Sequence, residues 1–374
     1  MSKISKLFAV KDVYNPEASD ALYVEAMREN CAFSYNNCKE YQKILDAKGF
    51  KPKTITKMED IERLPFIPTA TFKRHELYSM PKHRHFIKAT SSGTSSGIRS
   101  KVALDFTGCL HALRMVFKVM NQRHVISLRP CHYMVLGYKP NRHNEMAVMK
   151  TAYGFTWLAP ALSRTYALKY SNGSYAPDLE GIINAVLKKG RGRAPVRFMG
   201  FPAYTYFVLK MMKDRGLSVK LPEHSMIMLG GGWKQFYKEA VDKETFYQLA
   251  WEVLGIPEDR IVESFGAVEH PVLYLDCPHH HFHVPAYSRV FIRDPHTLEV
   301  LPYGRVGLVN LTTPMIKATP LLSVMTDDLG ILHNEPCPCG CKSPYLEIIG
   351  RVGLKDIKTC AAGAAKLLEG GMDK

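Results

Sequence analysis

The sequence has no run of eighteen apolar residues, which excludes a membrane-crossing helix from expectation. Its first twenty residues, MSKISKLFAVKDVYNPEASD, lack the long apolar core and small-residue cleavage site of a secretory signal. A disulfide framework is also missing: the nine cysteines are odd in number and scattered, so a reducing cytoplasm is the expected compartment. There is no internal repeat and no low-complexity tract. Acidic residues are in deficit, with Asp+Glu 35 against Lys+Arg 50 and a net charge of +15. A basic surface attracts nucleic acid, anionic membrane, nucleotides or an acidic protein. The basic residues form no long run and are not interleaved with aromatics, so nucleic acid is not an expected partner. What is present is apolar residue in quantity. At 46% hydrophobic, the 374 residues suffice for one large α/β domain or two modest ones.

Residues 19–47 read as one helix or a helical pair, capped by Ser19 or Asp20 and stopped at Gly49. Pro65 and Pro68 then break the chain. A helix capped by Asp105 or Thr107 runs to about Asn121, and CHYMVLGY (131–138) is a buried strand. From there strands and helices alternate. Asp178 caps a helix, VRFMGF (196–201) is a strand, and Pro202 opens a helix through Lys213. SMIMLGGG (225–232) is a strand, residues 242–254 are helix, and IVESFGA (261–267) is a strand again. Such alternation predicts a parallel, doubly wound sheet. Beyond residue 270 the chain becomes β-rich and proline-rich.

Five stretches carry candidate chemistry. ATSSGTSSGIRSKV (89–102) crowds small hydroxyls and glycines between extended chain and a helix, which suits a phosphate cradle. It lacks the Walker A spacing, and a serine-rich surface loop is the plain alternative. MLGGGWK (228–234) ends a strand, at the sheet edge where open α/β folds bind ligands. ESFGAVEH (263–270) offers Phe265 to stack on a base, Gly266 for a turn and Glu269 to hold a metal ion. TDDLG (326–330) offers carboxylates to ribose hydroxyls, and GRVGLKDIK (350–358) completes the series.

Their order resembles the adenylate-forming superfamily. Within it the chain is most similar to the LuxE-type acyl-protein synthetases and their phenylacetate–CoA ligase relatives. LPFIPTATFK (64–73), SSGTSSG (91–97), LGGGWK (229–234), FGAVEH (265–270) and GRVGLKDIKTC (350–360) carry the likeness. The resemblance implies a large α/β domain of mixed and parallel sheets flanked by helices, plus a small β-rich subdomain. It places a core over residues 1–349, helical to about 80 and β-rich with zinc over about 270–349. Residues 350–374 would be a short hinge and tail, with the usual C-terminal domain absent or vestigial. It implies that Ser91, Ser92, Gly93, Thr94, Ser95 and Ser96 form the phosphate loop. Gly230, Gly231, Gly232 and Trp233 would border adenine and acyl group. Phe265, with Gly266, would stack on adenine. Glu269 would hold Mg²⁺, Asp328 would bind ribose, and Arg351 would be the hinge arginine. Phe201, Tyr204 and Met211, with Trp233, would line the acyl pocket.

The implied activity is ATP-dependent conversion of a carboxylic acid, expected to be a fatty acid, into acyl-AMP. Transfer to a cysteine would follow, supplying acyl groups to a partner acyl reductase. Cys360 is the expected acceptor thiol. It lies among small residues with Lys355, Lys358 and Lys366 nearby to favour the thiolate, and it matches the family's C-terminal acceptor cysteine. Cys31, Cys38, Cys109 and Cys131 are expected to be structural. DCPHHHFHV (276–284) and PCPCGC (336–341) read as a zinc site, best assigned to Cys277, His283, Cys337 and Cys339, with His281 and Cys341 as competitors. Two other readings stand beside this one. One is an acyl-CoA ligase; the other is a basic zinc protein that binds nucleic acid.

Overall fold

The structure, a computed structural model, describes residues 1–91, 99–141, 146–171, 173–233, 236 and 239–351. The chain forms two units. Among the described residues, one holds Met1–Val119, Gly266–Tyr274 and His281–Arg351; the other holds Met120–Phe265 and Leu275–His280.

In the second unit the apolar run at 131–138 becomes a strand with those same bounds, Cys131–Tyr138. Strands Val196–Gly200, Met226–Gly230 and Ile261–Ala267 follow it in parallel, pairing Leu136 with Gly200, Gly200 with Leu229, and Gly230 with Ser264. Their carboxyl ends are therefore level along one edge. On the other side of Cys131–Tyr138 lies Ala161–Ser171, also parallel, and then its antiparallel partner Ser174–Pro177.

The crossover helices begin where side chains can serve the free first-turn amides. Asp178 accepts from the Gly181 amide at 2.9 Å to start Leu179–Gly190. Asp242 accepts from the Thr245 amide at 2.8 Å to start Lys243–Leu254, which Gly255 ends in the left-handed region at φ 65°. Pro202 occupies the first turn of Pro202–Asp214, where its missing N–H costs nothing. Ile182, Val186, Leu209 and Val253 from these helices pack on Phe198, Ile227 and Ile261 of the sheet.

In the first unit, Pro16–Asn37 and Lys39–Ala47 form the expected helical pair, parted at Cys38, whose backbone is extended. The cap is not Ser19 or Asp20, which lie inside the helix, but Asn15, whose side chain accepts from the Ala18 amide at 3.2 Å just ahead of Pro16. The β-rich stretch folds into an antiparallel sheet ordered Phe282–His283, Tyr345–Arg351, Ser323–His333, Val306–Thr312 and Arg289–Arg293. Ile67–Pro68 adds to Ser323–His333 in parallel. A separate hairpin, Ile87–Thr90 with Lys101–Leu104, leads into helix Phe106–Asn121. Asp105 anchors that helix start: its carboxylate accepts from the amides of Gly108 at 3.0 Å, Lys317 at 2.9 Å and Ala318 at 3.1 Å. No helix among the described residues is long and apolar enough to cross a membrane.

Candidate active site and metal centre

The parallel strands of the second unit present a glycine-bearing edge. Gly200 has φ 138°, and a Cβ there would lie 2.3 Å from the Leu136 carbonyl oxygen, so neighbouring backbone occupies the space of any side chain. At the next strand end, Gly231 and Gly232 take φ of 82° and 64°, a left-handed path open to glycine. This turn sets Trp233 with its ring 5.6 Å from that of Tyr206. Phe201, Tyr204 and Phe236 continue the aromatic surface, at 6.1 Å from Phe201 to Tyr204 and 5.6 Å from Tyr204 to Phe236. The structure thus gathers Gly230, Gly231, Gly232, Trp233, Phe201 and Tyr204 in one unit. Tyr206, Phe207 and Phe236 belong to the same cluster and were not singled out from sequence. The signal was present in the aromatic run of AYTYF, which places rings on adjacent helix positions. Met211 packs against the helix–sheet core, as Tyr204 and Tyr206 also do in part. Phe265, at the end of Ile261–Ala267, is partly exposed, and Gly266 beside it is exposed.

The carboxylates collect in the first unit. Asp328 is the antiparallel partner of Arg351, with 3.6 Å between Asp328 Oδ1 and Arg351 Nε. Its side chain is only 15% exposed. Burial raises the Asp328 pKa above the usual carboxylate value, and repulsion from Asp327 and Glu269 adds to the rise. The Arg351 charge and a hydrogen bond from Thr326 oppose it. Glu269 is buried at 6% exposure and makes no hydrogen bond or ion pair among the described residues. Its carboxylate is therefore free to meet a hard divalent ion, whose preferred ligands are oxygens.

Beside Glu269, His270 anchors the strand His270–Leu275. Its Nε2 lies 3.2 Å from the Tyr274 hydroxyl and 3.1 Å from that of Ser288. Burial lowers its pKa to about 3, so the ring stays neutral. Ser91 closes the Ile87–Thr90 hairpin: its amide donates to the Ser100 carbonyl at 3.2 Å and its hydroxyl accepts from the Ser100 amide at 2.9 Å. Ser92, Gly93, Thr94, Ser95, Ser96 and Cys360 lie outside the described residues. Among the other thiols, burial raises Cys31 to about 12 and Cys109 to about 11, far from a nucleophile's range at neutral pH.

The ligand atoms of Cys277, His283, Cys337 and Cys339 all lie within 4.8 Å of one another. Two ligands on one tetrahedral zinc stand about 3.8 Å apart, given Zn–S bonds of about 2.3 Å, so the set is compact enough for one ion. Two proline turns deliver the thiols. In each, the amide three residues after a cysteine donates to that cysteine's carbonyl: His280 to Cys277 at 2.8 Å and Gly340 to Cys337 at 2.9 Å. Each turn takes positive φ at that third residue, 58° at His280 and 80° at Gly340. Amides also serve the sulfurs: His279 donates to Cys277 Sγ at 3.3 Å and Cys341 to Cys339 Sγ at 3.4 Å. His283 Nδ1 donates to the Ser343 carbonyl at 2.8 Å, which leaves Nε2, 3.3 Å from Cys339 Sγ, with its lone pair. His281 Nδ1 lies 3.2 Å from Cys337 Sγ, and its ring stacks on Tyr345 at 4.1 Å.

The model of the family described as acyl-protein synthetase, LuxE, matches residues 13–368. The long-chain-fatty-acid–luciferin-component ligase of Aliivibrio fischeri is 23% identical over 92% of this chain and 88% of its own length. The phenylacetate–coenzyme A ligase of Thermus thermophilus is 24% identical over 86% of this chain and 67% of its own. Among solved structures, an open conformation of 2-hydroxyisobutyryl-CoA ligase superposes with a TM-score of 0.67 at 16% identity. That match covers 91% of this chain and 76% of the other.

Proposed function

Because the chain belongs to the LuxE acyl-protein synthetase family and is a ligase of adenylate-forming type, we propose that it activates a long-chain fatty acid as acyl-AMP. We propose further that it takes the acyl group onto its own Cys360, for delivery to a partner acyl reductase. The observation that carries the reading is the unpartnered, buried Glu269 beside an Asp328 that faces Arg351.

In this reading a carboxylate oxygen of the acid attacks the α-phosphorus of ATP and pyrophosphate leaves. The acid thereby exchanges a poor leaving group for AMP. Asp328 accepts hydrogen bonds from the ribose hydroxyls, and Arg351 sits opposite it as a cation for phosphate or ribose oxygens. Mg²⁺ held by Glu269 would supply charge neutralisation at the phosphates. Gly230, Gly231, Gly232 and Trp233 border the adenine and the acyl group, and Phe265 stacks on the base. Phe201 and Tyr204 with Trp233 offer an apolar wall to the chain of the acid. The Cys360 thiolate then attacks the acyl carbon, a thioester forms, and AMP departs. Ser91–Ser96 supply donors to the phosphates as pyrophosphate charge develops. Cys277, His283, Cys337 and Cys339 hold a structural zinc ion with no open position.

The domain reading follows the same lines: residues 1–349 form the adenylate-forming core, and 350–374 form a hinge and tail that carry the acceptor thiol. Fatty-acid-dependent ATP–pyrophosphate exchange tests the first step; its absence for every acid offered ends the proposal. Radiolabelled fatty acid should remain covalently attached to the wild type. In Cys360→Ser it should not, while exchange continues. The phenylacetate–coenzyme A ligase relative favours a second reading, in which coenzyme A is the acceptor. Acyl-CoA release with no protein labelling would select it.

A further inference from the structure

Helix Phe106–Asn121 has two faces that are both apolar. The inner face is fastened in the first unit. His111 stacks on Phe8 at 4.8 Å and meets Ser5 Oγ at 3.2 Å, Met115 and Val119 are buried, and a Cβ on Gly108 would strike Ile316 at 2.7 Å. The helix cannot roll to hide its other side. That side carries Phe106, Leu110, Leu113 and Phe117, which are 55%, 40%, 54% and 48% exposed. Their spacing of four, three and four residues makes a straight ridge about 17 Å long. Phe86, 61% exposed, extends it by packing edge-on against Phe106 at 5.2 Å. Five large apolar side chains projecting together mark a binding surface, since scattered single ones are the rule elsewhere.

The charge around the ridge selects what binds. Between residues 77 and 119 the sequence has seven Lys or Arg and one acid, Asp105. Asp105 is buried and occupied by backbone amides. Lys82, Arg84 and Arg114 are exposed and form no ion pair among the described residues. Lys101 is paired with Glu76 at 2.8 Å, while Lys82, Arg84 and Arg114, all basic, would repel a second copy of this face. A projecting ridge of Phe and Leu beside such free basic side chains fits an anionic, deformable surface, into which side chains sink without a matching groove.

We infer that the Phe106–Phe117 ridge with Phe86 seats this protein on anionic lipid bilayers, its basic rim against the headgroups. The inference does not depend on the proposed reaction. The test is co-sedimentation of the full chain with vesicles of equal parts phosphatidylglycerol and phosphatidylcholine, and with phosphatidylcholine alone. Wild type should bind the first, bind the second far more weakly, and be released from the first by high salt. Leu113→Ser with Phe117→Ser should weaken binding at least ~10-fold, from the lost apolar burial. Arg84→Gln and Arg114→Gln should each weaken it ~5-fold, on the anionic vesicles only. These side chains are exposed, so melting temperatures should stay at the parent's value. Failure of the wild type to bind anionic vesicles overturns the inference. So does equal binding by the Leu113→Ser, Phe117→Ser variant. Binding of soluble polyglutamate as tight as that of vesicles, indifferent to the ridge variants, would assign the surface to an acidic protein instead.

Discussion

The carboxylates of the first unit and the Cys/His cluster are both built from groups that resist burial, yet the fold treats them oppositely. Around the cysteines, the local backbone answers the ligands: amides donate to two sulfurs, and the Ser343 carbonyl accepts a hydrogen bond from His283 Nδ1. Around Glu269 nothing answers among the described residues, and Asp328 has its charge opposed by Asp327 and Glu269. A satisfied cluster holds shape. An unsatisfied one keeps electrostatic demand in reserve for a ligand that arrives with positive charge or hydroxyl donors.

This contrast can be broken by experiment. Glu269→Gln should cut fatty-acid-dependent pyrophosphate exchange by ~10²–10³-fold, the size of losing one strong electrostatic contact to the reacting phosphates. Its melting temperature should not fall. A variant that unfolds while keeping exchange would reverse the assignment of roles. Cys337→Ser should do the opposite, lowering stability by about 3–5 kcal/mol, in the class of lost metal ligands. Metal analysis should find about one zinc per chain, lost in that variant. A stable, metal-free parent would remove the zinc and leave the carboxylates untouched.

Two smaller effects depend on pH. His270 has a pKa depressed to about 3 in the folded chain, against about 6.5 unfolded. Below pH ~6.5 the unfolded chain binds the extra proton, so stability is lost as pH falls, by up to ~1.4 kcal/mol per unit. His270→Gln should flatten that part of a denaturation-against-pH curve. Asp328 has the opposite sign. Its raised pKa means the folded state holds its proton longer, so its ionisation costs stability as pH rises above about 4. Asp328→Asn should therefore melt slightly higher than the parent at pH 7, with the gain shrinking toward pH 4. A variant that melts lower would show that the carboxylate is better satisfied than its surroundings indicate.

Much of this was legible in the residues. The strands 131–138 and 261–267 and the helix opened by Pro202 are announced by apolar runs and caps that act within one element. That Cys277, His283, Cys337 and Cys339 come together was also readable, since cysteines two apart in a proline turn have few ways to point. The hairpin Ala161–Ser171 with Ser174–Pro177 was overlooked, although Asn172-Gly173 is a strong turn signal between alternating residues. The company kept by Asp328 could not be read locally. Glu269 comes from a turn some sixty residues earlier, and its approach to Asp328 leaves no mark in either segment; Arg351 comes from the next strand, but the register that sets it opposite Asp328 is not written in either strand alone.

Gly200 has a consequence for redesign. Because the Leu136 carbonyl oxygen already stands where a first side-chain carbon would go, this point of the sheet edge cannot take a side chain. On the acyl wall proposed above, redesign for another acid therefore falls to the helix that carries Tyr204 and Phe207, where side chains can be exchanged without moving a strand.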